Sequence, residues 1–390
     1  MTQQFINSAI ATSVYVHIPF CRRRCFYCDF PVSVVGDSSR GETSNTISRY
    51  VRVLQSEIST APAFGKPLKT IFFGGGTPSL LSVEQLQVII ESLARRFSIS
   101  TGAEISLEMD PGTFDLAHLQ GYRLAGVNRV SLGVQAFQDE LLKVCGRSHS
   151  VSDIFAAVEL IQEVGVPEFS LDLISGLPHQ SLETWQESLE KAVALSPTHI
   201  SIYDLTIEPG TAFGRYYQPG SQPLPTDDTT VKMYQIAQQV LTSAGYEHYE
   251  ISNYALPGHQ CRHNRVYWEN RPYYGFGMGA ASYVDGKRFT RPRKTKEYYT
   301  WVEAGCVIDC PPTPENESLL ETLMLGLRLA EGVSLSAFSQ KTRDKIEKCL
   351  QPYFQQGWVE VVKGRLRLSD PEGFLFSNVV LATLFEKLEE

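Results

Sequence analysis

The chain has 390 residues, 43% of them hydrophobic and 20% charged, an ordinary balance for a globular protein of two or three domains or of one barrel-sized domain with an appendage. Its net charge of −8 argues against wholesale nucleic-acid binding. Its apolar runs are too short and too punctuated for a membrane span, and its opening residues, MTQQFINSAIATS, lack the basic start and apolar stretch of a leader.

Short β-branched and aromatic runs alternate with helical patterns up to about residue 255. Strands are predicted at 13–18, 69–73, 104–109, 129–134, 169–174 and 200–205. Between them, Leu86, Ile89, Ile90, Leu93 and Phe97 share one helical face, and Ser82 with Gln85 is placed for a capping box ahead of it. Leu182, Trp185, Leu189 and Ala192 make another such stripe. Six βα units in a row predict an α/β fold with a parallel sheet and helices outside it. Six is too few for a closed eight-stranded barrel and enough for an open partial (βα)6 barrel; a doubly wound sheet is the alternative topology.

Beyond residue 206 the alternation degrades. A helix near 227–244 leads into a tyrosine- and glycine-rich stretch at 246–283, and 306–314 reads as a linker. Two further helices, at 318–330 and around 344–354, precede strands at 358–362 and 365–368. Lys363-Gly364 suits the hairpin turn between those strands. The expected division is a partial barrel over 1–255, an aromatic segment with a linker over 256–311, and a C-terminal helical, winged-helix-like domain over 312–390.

The expected setting is a reducing cytoplasm, where eight cysteines read as metal ligands or buried thiols rather than a disulfide frame. The strand SVYVHI runs into PFCRRRCFYCDF, which spaces Cys21, Cys25 and Cys28 as C-x3-C-x2-C. Three soft thiolates suit an iron–sulfur cube and leave one iron open to another ligand. A structural zinc site, with His17 or Asp29 as the fourth ligand, is the alternative on spacing alone. Cys145 and Cys349 read as core thiols, and Cys306 and Cys310 as free ones.

In a parallel barrel, ligands sit at the carboxyl ends of the strands. Each predicted strand places polar or glycine residues there. The first ends at the cysteine loop and the second in Gly74-Gly75-Gly76-Thr77-Pro78. The third ends in Glu108 and Asp110, and the fourth in Gln135. The fifth holds Asp172, and the sixth ends near Asp204 and Thr206. Each has a structural reading as well, as a tight turn, a helix cap or a satisfied buried carboxylate. Their common end of the sheet favours a site.

The run YVHIPFCRRRCFYC resembles the radical S-adenosylmethionine (SAM) motif of the coproporphyrinogen III dehydrogenase family. That resemblance implies a [4Fe–4S] cluster on Cys21, Cys25 and Cys28, with the methionyl amino and carboxylate groups of SAM on the open iron. It also implies SAM-contacting roles for Tyr15, Tyr27, Gly75, Gly76, Thr77, Glu108, Gln135, Arg147 and Asp172.

Two features separate the branches of this family. The dehydrogenases carry a further cysteine two residues past the third, where this chain has Phe30, and a longer segment ahead of the first strand. The run Cys261-Arg262-His263-Asn264-Arg265-Val266-Tyr267-Trp268 contains H-N-x-x-Y-W and is similar to the motif of HemW-type haem chaperones. That branch implies haem as a partner and a haem-acceptor protein, of which respiratory proteins are one class. Imidazole or thiolate ligation by His263 or Cys261 would hold the iron, and Tyr267 and Trp268 would pack on the porphyrin. From chemistry alone, a histidine beside an asparagine is more often a hydrogen-bonded loop residue. The same branch leaves room for a homodimer and for peripheral membrane association. The competing readings are an active dehydrogenase that decarboxylates propionate side chains and a zinc-stabilised barrel. The basic run Arg288, Arg291, Arg293, Lys294 and Lys296 reads mainly as a solvated loop, with haem propionates or an acidic partner as the other option.

Overall fold

The computed structural model describes residues 10–37, 40–63 and 65–388. Most of the opening stretch compared above with a leader lies outside them. The first six strands of the main sheet are β1 (Ser13–Ile18), β2 (Leu68–Gly75), β3 (Ile99–Met109), β4 (Arg129–Gln135), β5 (Glu168–Ser175) and β6 (His199–Asp204). They lie side by side in chain order and all parallel. Alternate residues Val14, Val16 and Ile18 of β1, and Ile71 and Phe73 of β2, are fully buried against the outer helices. The helix Val83–Phe97 buries Leu86, Ile89, Leu93 and Phe97, and Ser82 with Gln85 closes the reciprocal capping box at its start. The helix Leu182–Ala194 buries Trp185, Leu189 and Ala192, and begins on a second box from Ser181 and Thr184.

The chain after residue 245 extends this sheet at both edges. Strands β7 (Glu247–Glu250) and β8 (Asn253–Ala255) add antiparallel beyond β6, while β9 (Tyr274–Phe276) pairs parallel with β1. The resulting order is β9-β1-β2-β3-β4-β5-β6-β8-β7. Side chains from β1, β3, β5 and β6 line one shared cavity, so the sheet curls into an open barrel. The helix Arg262–Trp268 closes the barrel floor. Glu104 of β3 accepts hydrogen bonds from the Arg262 and His263 amides at 3.0 and 2.9 Å, capping that helix.

The basic run at 288–296 is not a solvated loop throughout. Arg291 is buried, donating to Glu57 at 2.5 Å and to Ser282 at 2.7 Å. Tyr298 and the Gly277 amide also donate to Glu57, tying this segment to the helix Asn45–Thr60. Removing either Glu57 or Arg291 would strand the other's buried charge.

The C-terminal module has its own core, including Leu320, Leu323, Ile346, Leu350, Leu366 and Leu384. Its helices Glu315–Gly326, Gln340–Gln355 and Ser377–Leu388 pack with a small antiparallel sheet. Two of that sheet's strands, Val359–Val362 and Arg365–Leu368, form the expected hairpin, and Lys363 and Gly364 both have positive φ in its turn. The module docks on β7, where the Ile251 amide donates to the Arg328 carbonyl and the Ala330 amide to the Tyr249 carbonyl. Arg328 pairs with fully buried Glu250 at 3.2 Å and lies 4.4 Å from the Trp268 ring centroid.

Candidate functional site

A cavity of about 770 Å³ opens at the carboxyl ends of the parallel strands. Cys21, Cys25 and Cys28 enter it from the loop after β1, and Gly75, Gly76 and Thr77 from the end of β2. Glu108 and Asp110 come from the end of β3, Gln135 from β4, Asp172 from β5, and Tyr203 and Asp204 from β6. Tyr15, Tyr27 and Arg147 complete the predicted set. All of the residues expected to hold the cluster and SAM line this one space.

The glycines are required by close approach. Gly75 has φ +118°, and a Cβ there would lie 2.4 Å from the His17 ring. At Gly76 a Cβ would lie 2.6 Å from the Phe20 carbonyl oxygen and 3.0 Å from the Cys21 sulfur. The β2 end therefore presses its backbone against the cysteine loop, leaving amides and carbonyls rather than side chains at the cavity wall. Gln135 holds a left-handed φ of +70° at a register shift in β4, a strained conformation of the kind that collects at functional sites.

His17 explains how the loop is held. Its Nε2 lies 3.0 Å from the Pro31 carbonyl, which can only accept, so the proton sits on Nε2. Its Nδ1 then accepts from the Tyr15 hydroxyl at 3.0 Å. Burial keeps this imidazole neutral, with its pKa lowered to about 4. The sequence marked His17 only as a spare zinc ligand; its bond to Pro31, on the far side of the cysteine loop, is not visible in any local pattern.

The carboxylates differ in environment. Glu108 is enclosed, and burial with the negative charges of Asp172 and Asp110 pushes its pKa up to about 8, although the Gly75 amide donates to it at 2.9 Å. Burial also raises the pKa of Asp172, against hydrogen bonds from the serines around it, of which Ser131 donates at 2.8 Å. Asp110 pairs with Arg147 and accepts from the Thr77 hydroxyl at 2.9 Å. Arg147 also donates to the Gly133 carbonyl at 2.9 Å and to the Cys25 sulfur at 3.4 Å. Strand-end position pointed to Asp110, but its partnership with Arg147 did not show in the sequence. Arg293, Tyr203 and Tyr273 line the cavity without having been singled out as SAM residues.

The donor set fits an iron–sulfur cluster. Three thiols share one wall, and burial with the nearby Asp110 charge raises the Cys21 pKa to about 12. The neighbouring groups are those that a bound amino acid needs: exposed backbone at Gly75–Gly76, a guanidinium, and carboxylates.

The residues expected at haem are split. Tyr267 lines the cavity, whereas His263, Cys261 and Trp268 do not. His263 is fully buried, with Nδ1 2.8 Å from the Thr70 hydroxyl and Nε2 2.8 Å from the Tyr267 hydroxyl. Cys261 is 3% exposed beside Glu104, and burial pushes its pKa to about 12. Trp268 stacks under Arg328 of the C-terminal module. In this arrangement neither His263 nor Cys261 is presented to an iron, because both face the packed barrel floor.

Residues 15–192 match the Radical SAM superfamily, and residues 314–376 the HemN C-terminal domain. Fold and site together thus define a radical SAM protein, whose cofactors are a [4Fe–4S] cluster and SAM; the zinc alternative falls away. The chain is 47% identical to the haem chaperone HemW of Synechocystis sp. over 97% of each chain. It is 37% identical to the haem chaperone HemW of Escherichia coli, covering 95% of this chain and 97% of that one. It also shares its fold with the solved coproporphyrinogen III oxidase (HemN) of Escherichia coli, at a TM-score of 0.82 and 23% identity, covering 97% of this chain and 91% of that one. The chain belongs to the HemW family.

Proposed function

We propose that this protein is a haem chaperone that binds haem and passes it to an acceptor protein, with a SAM-ligated [4Fe–4S] cluster on Cys21, Cys25 and Cys28. The observation that carries this reading is the similarity to HemW chaperones along almost the whole of both chains. Phe30, 61% exposed at the cavity edge, supports it, since it stands where the dehydrogenases are expected to carry a further cysteine.

Cys21, Cys25 and Cys28 would hold the cluster, which would supply one-electron reducing chemistry toward SAM. The chain's own residues bind and orient. Gly75 and Gly76 offer backbone to the methionyl end, and Arg147, held by Asp110 and Gly133, sets one positive charge beside Cys25. Glu108 and Asp172 provide enclosed carboxyl groups for hydroxyl and amino contacts.

The reading extends to the setting. The acceptor is an apo-haem protein, of which the respiratory ones are our first choice, met in the cytoplasm or at a membrane surface. No helix among the described residues is long and apolar enough to cross a membrane. A homodimer is compatible with this reading. The test is a haem titration of the anaerobic protein followed by addition of an apo-cytochrome, run beside a coproporphyrinogen III assay with SAM and reductant. A Soret band that moves to the cytochrome, with no protoporphyrinogen formed, is expected. Decarboxylation with turnover would instead make the chain a dehydrogenase.

A further inference from the structure

The H-N-x-x-Y-W run has a physical role that its haem reading does not use. Its helix is the floor of the cavity rather than an exposed arm. The ring of His263 stacks on Phe72 at a centroid distance of 5.3 Å and a tilt of 25°, and Phe72 stacks in turn on Tyr15. Tyr15, at one end of this column, lines the cavity; His263, at the other, does not, but its Nε2 bonds to the hydroxyl of Tyr267, which does. Tyr267 also meets His263 and Tyr273 edge-on, at 5.1 and 4.7 Å, and Tyr273 lines the same cavity. The polar atoms of the imidazole are thus committed to Thr70 on one side and Tyr267 on the other.

From this geometry we propose that His263 is a positioning residue for the SAM cavity: it fixes the Tyr267 hydroxyl and ring in the cavity floor and does not ligate haem iron. The four side chains then divide their work by location. His263 and Tyr267 shape the floor, while Cys261 and Trp268 anchor the helix, to Glu104 and to Arg328 of the C-terminal module. Burial holds the imidazole neutral, with its pKa lowered to about 3, as suits a ring that exchanges hydrogen bonds with two hydroxyls. The haem iron then takes its ligand from another residue.

The proposal rests on SAM occupying this cavity, so the experiment reads SAM and haem separately on the same cluster-loaded full chain. Wild type, His263→Ala, His263→Gln and Tyr267→Phe are compared. SAM affinity is taken from the change SAM makes in the electron paramagnetic resonance spectrum of the reduced cluster, and haem affinity from the Soret band. We expect His263→Ala and Tyr267→Phe each to weaken SAM by about tenfold, the scale of one lost hydrogen bond in an enclosed site. The double variant should be little worse than either single one. His263→Gln, which can still bond to Tyr267, should recover part of the loss. Soret position and haem affinity should match wild type throughout. Tyr267→Phe keeps the ring packing, so it tests the idea even where His263→Ala unfolds. A Soret band lost or shifted in His263→Gln or His263→Ala, with SAM binding unchanged in Tyr267→Phe, would overturn the proposal. Failure of SAM to perturb the wild-type cluster would remove the reading beneath it, which is a distinguishable result.

Discussion

Replacing Gly75 with alanine should damage both the fold and the site, by an amount that the geometry sets. The residue holds φ +118°, which an alanine adopts only with strain of about 1–3 kcal/mol. Its new Cβ would also lie 2.4 Å from the His17 Cε1 and Nδ1 atoms. His17 can retreat only by giving up its bonds to Tyr15 and Pro31, each worth about 1 kcal/mol. The total is about 3–5 kcal/mol, a drop in Tm on the order of 10 °C for a domain of this size. Gly245→Ala is the control, since Gly245 has φ +89° but nothing within 4 Å of its would-be Cβ. Strain alone should cost it about 1 kcal/mol. Calorimetry of the two variants, with iron content and SAM binding measured alongside, separates strain from collision. If Gly75→Ala melts within a degree or two of Gly245→Ala and still binds SAM normally, the close approach of β2 to the cysteine loop is not what the glycines provide.

Other consequences follow from the buried charges. With its pKa raised from 4.5 to about 8, Glu108 is protonated near neutrality in the SAM-free protein. Its contribution to stability is full below pH 4.5 and is lost as pH rises through about 8; denaturant unfolding of Glu108→Gln should show that decline flattened, and an unchanged slope would contradict the assignment. Arg147→Met removes a positive charge that donates to the Cys25 sulfur, so the cluster's reduction potential should fall in a spectroscopic titration. It should also destabilise the chain by about 2–3 kcal/mol by leaving Asp110 without its cation. Arg328→Ala strands fully buried Glu250 and uncovers Trp268, at about 3 kcal/mol. Limited proteolysis should then cut first between barrel and C-terminal module; cleavage elsewhere would show that this contact does not hold the two together.

The six parallel strands were legible because each is a short β-branched run between amphipathic helices; five appear within two residues of their predicted bounds, and the third begins five residues earlier, at Ile99. The cavity was legible for the same reason, since strand ends fix which residues meet. The edge strands were not. Residues 274–276 pair with a strand about 260 positions earlier, and three residues of Tyr, Gly and Phe carry no alternation to reveal it. Arg291 sat in a run of cations that looked solvated because its partner, Glu57, lies on a distant helix. His263 was read by motif, and a motif does not say whether its ring faces solvent or Thr70. Non-local packing decided each of these.

The most direct test of the account labels the methionyl nitrogen and carboxylate of SAM and records electron–nuclear double resonance of the reduced, oxygen-free protein. Coupling of both labels to a cluster of about four irons per chain, lost when Cys21, Cys25 or Cys28 is replaced by alanine, is the predicted result. A cluster-free protein, or a cluster whose spectrum carries neither label, would contradict it.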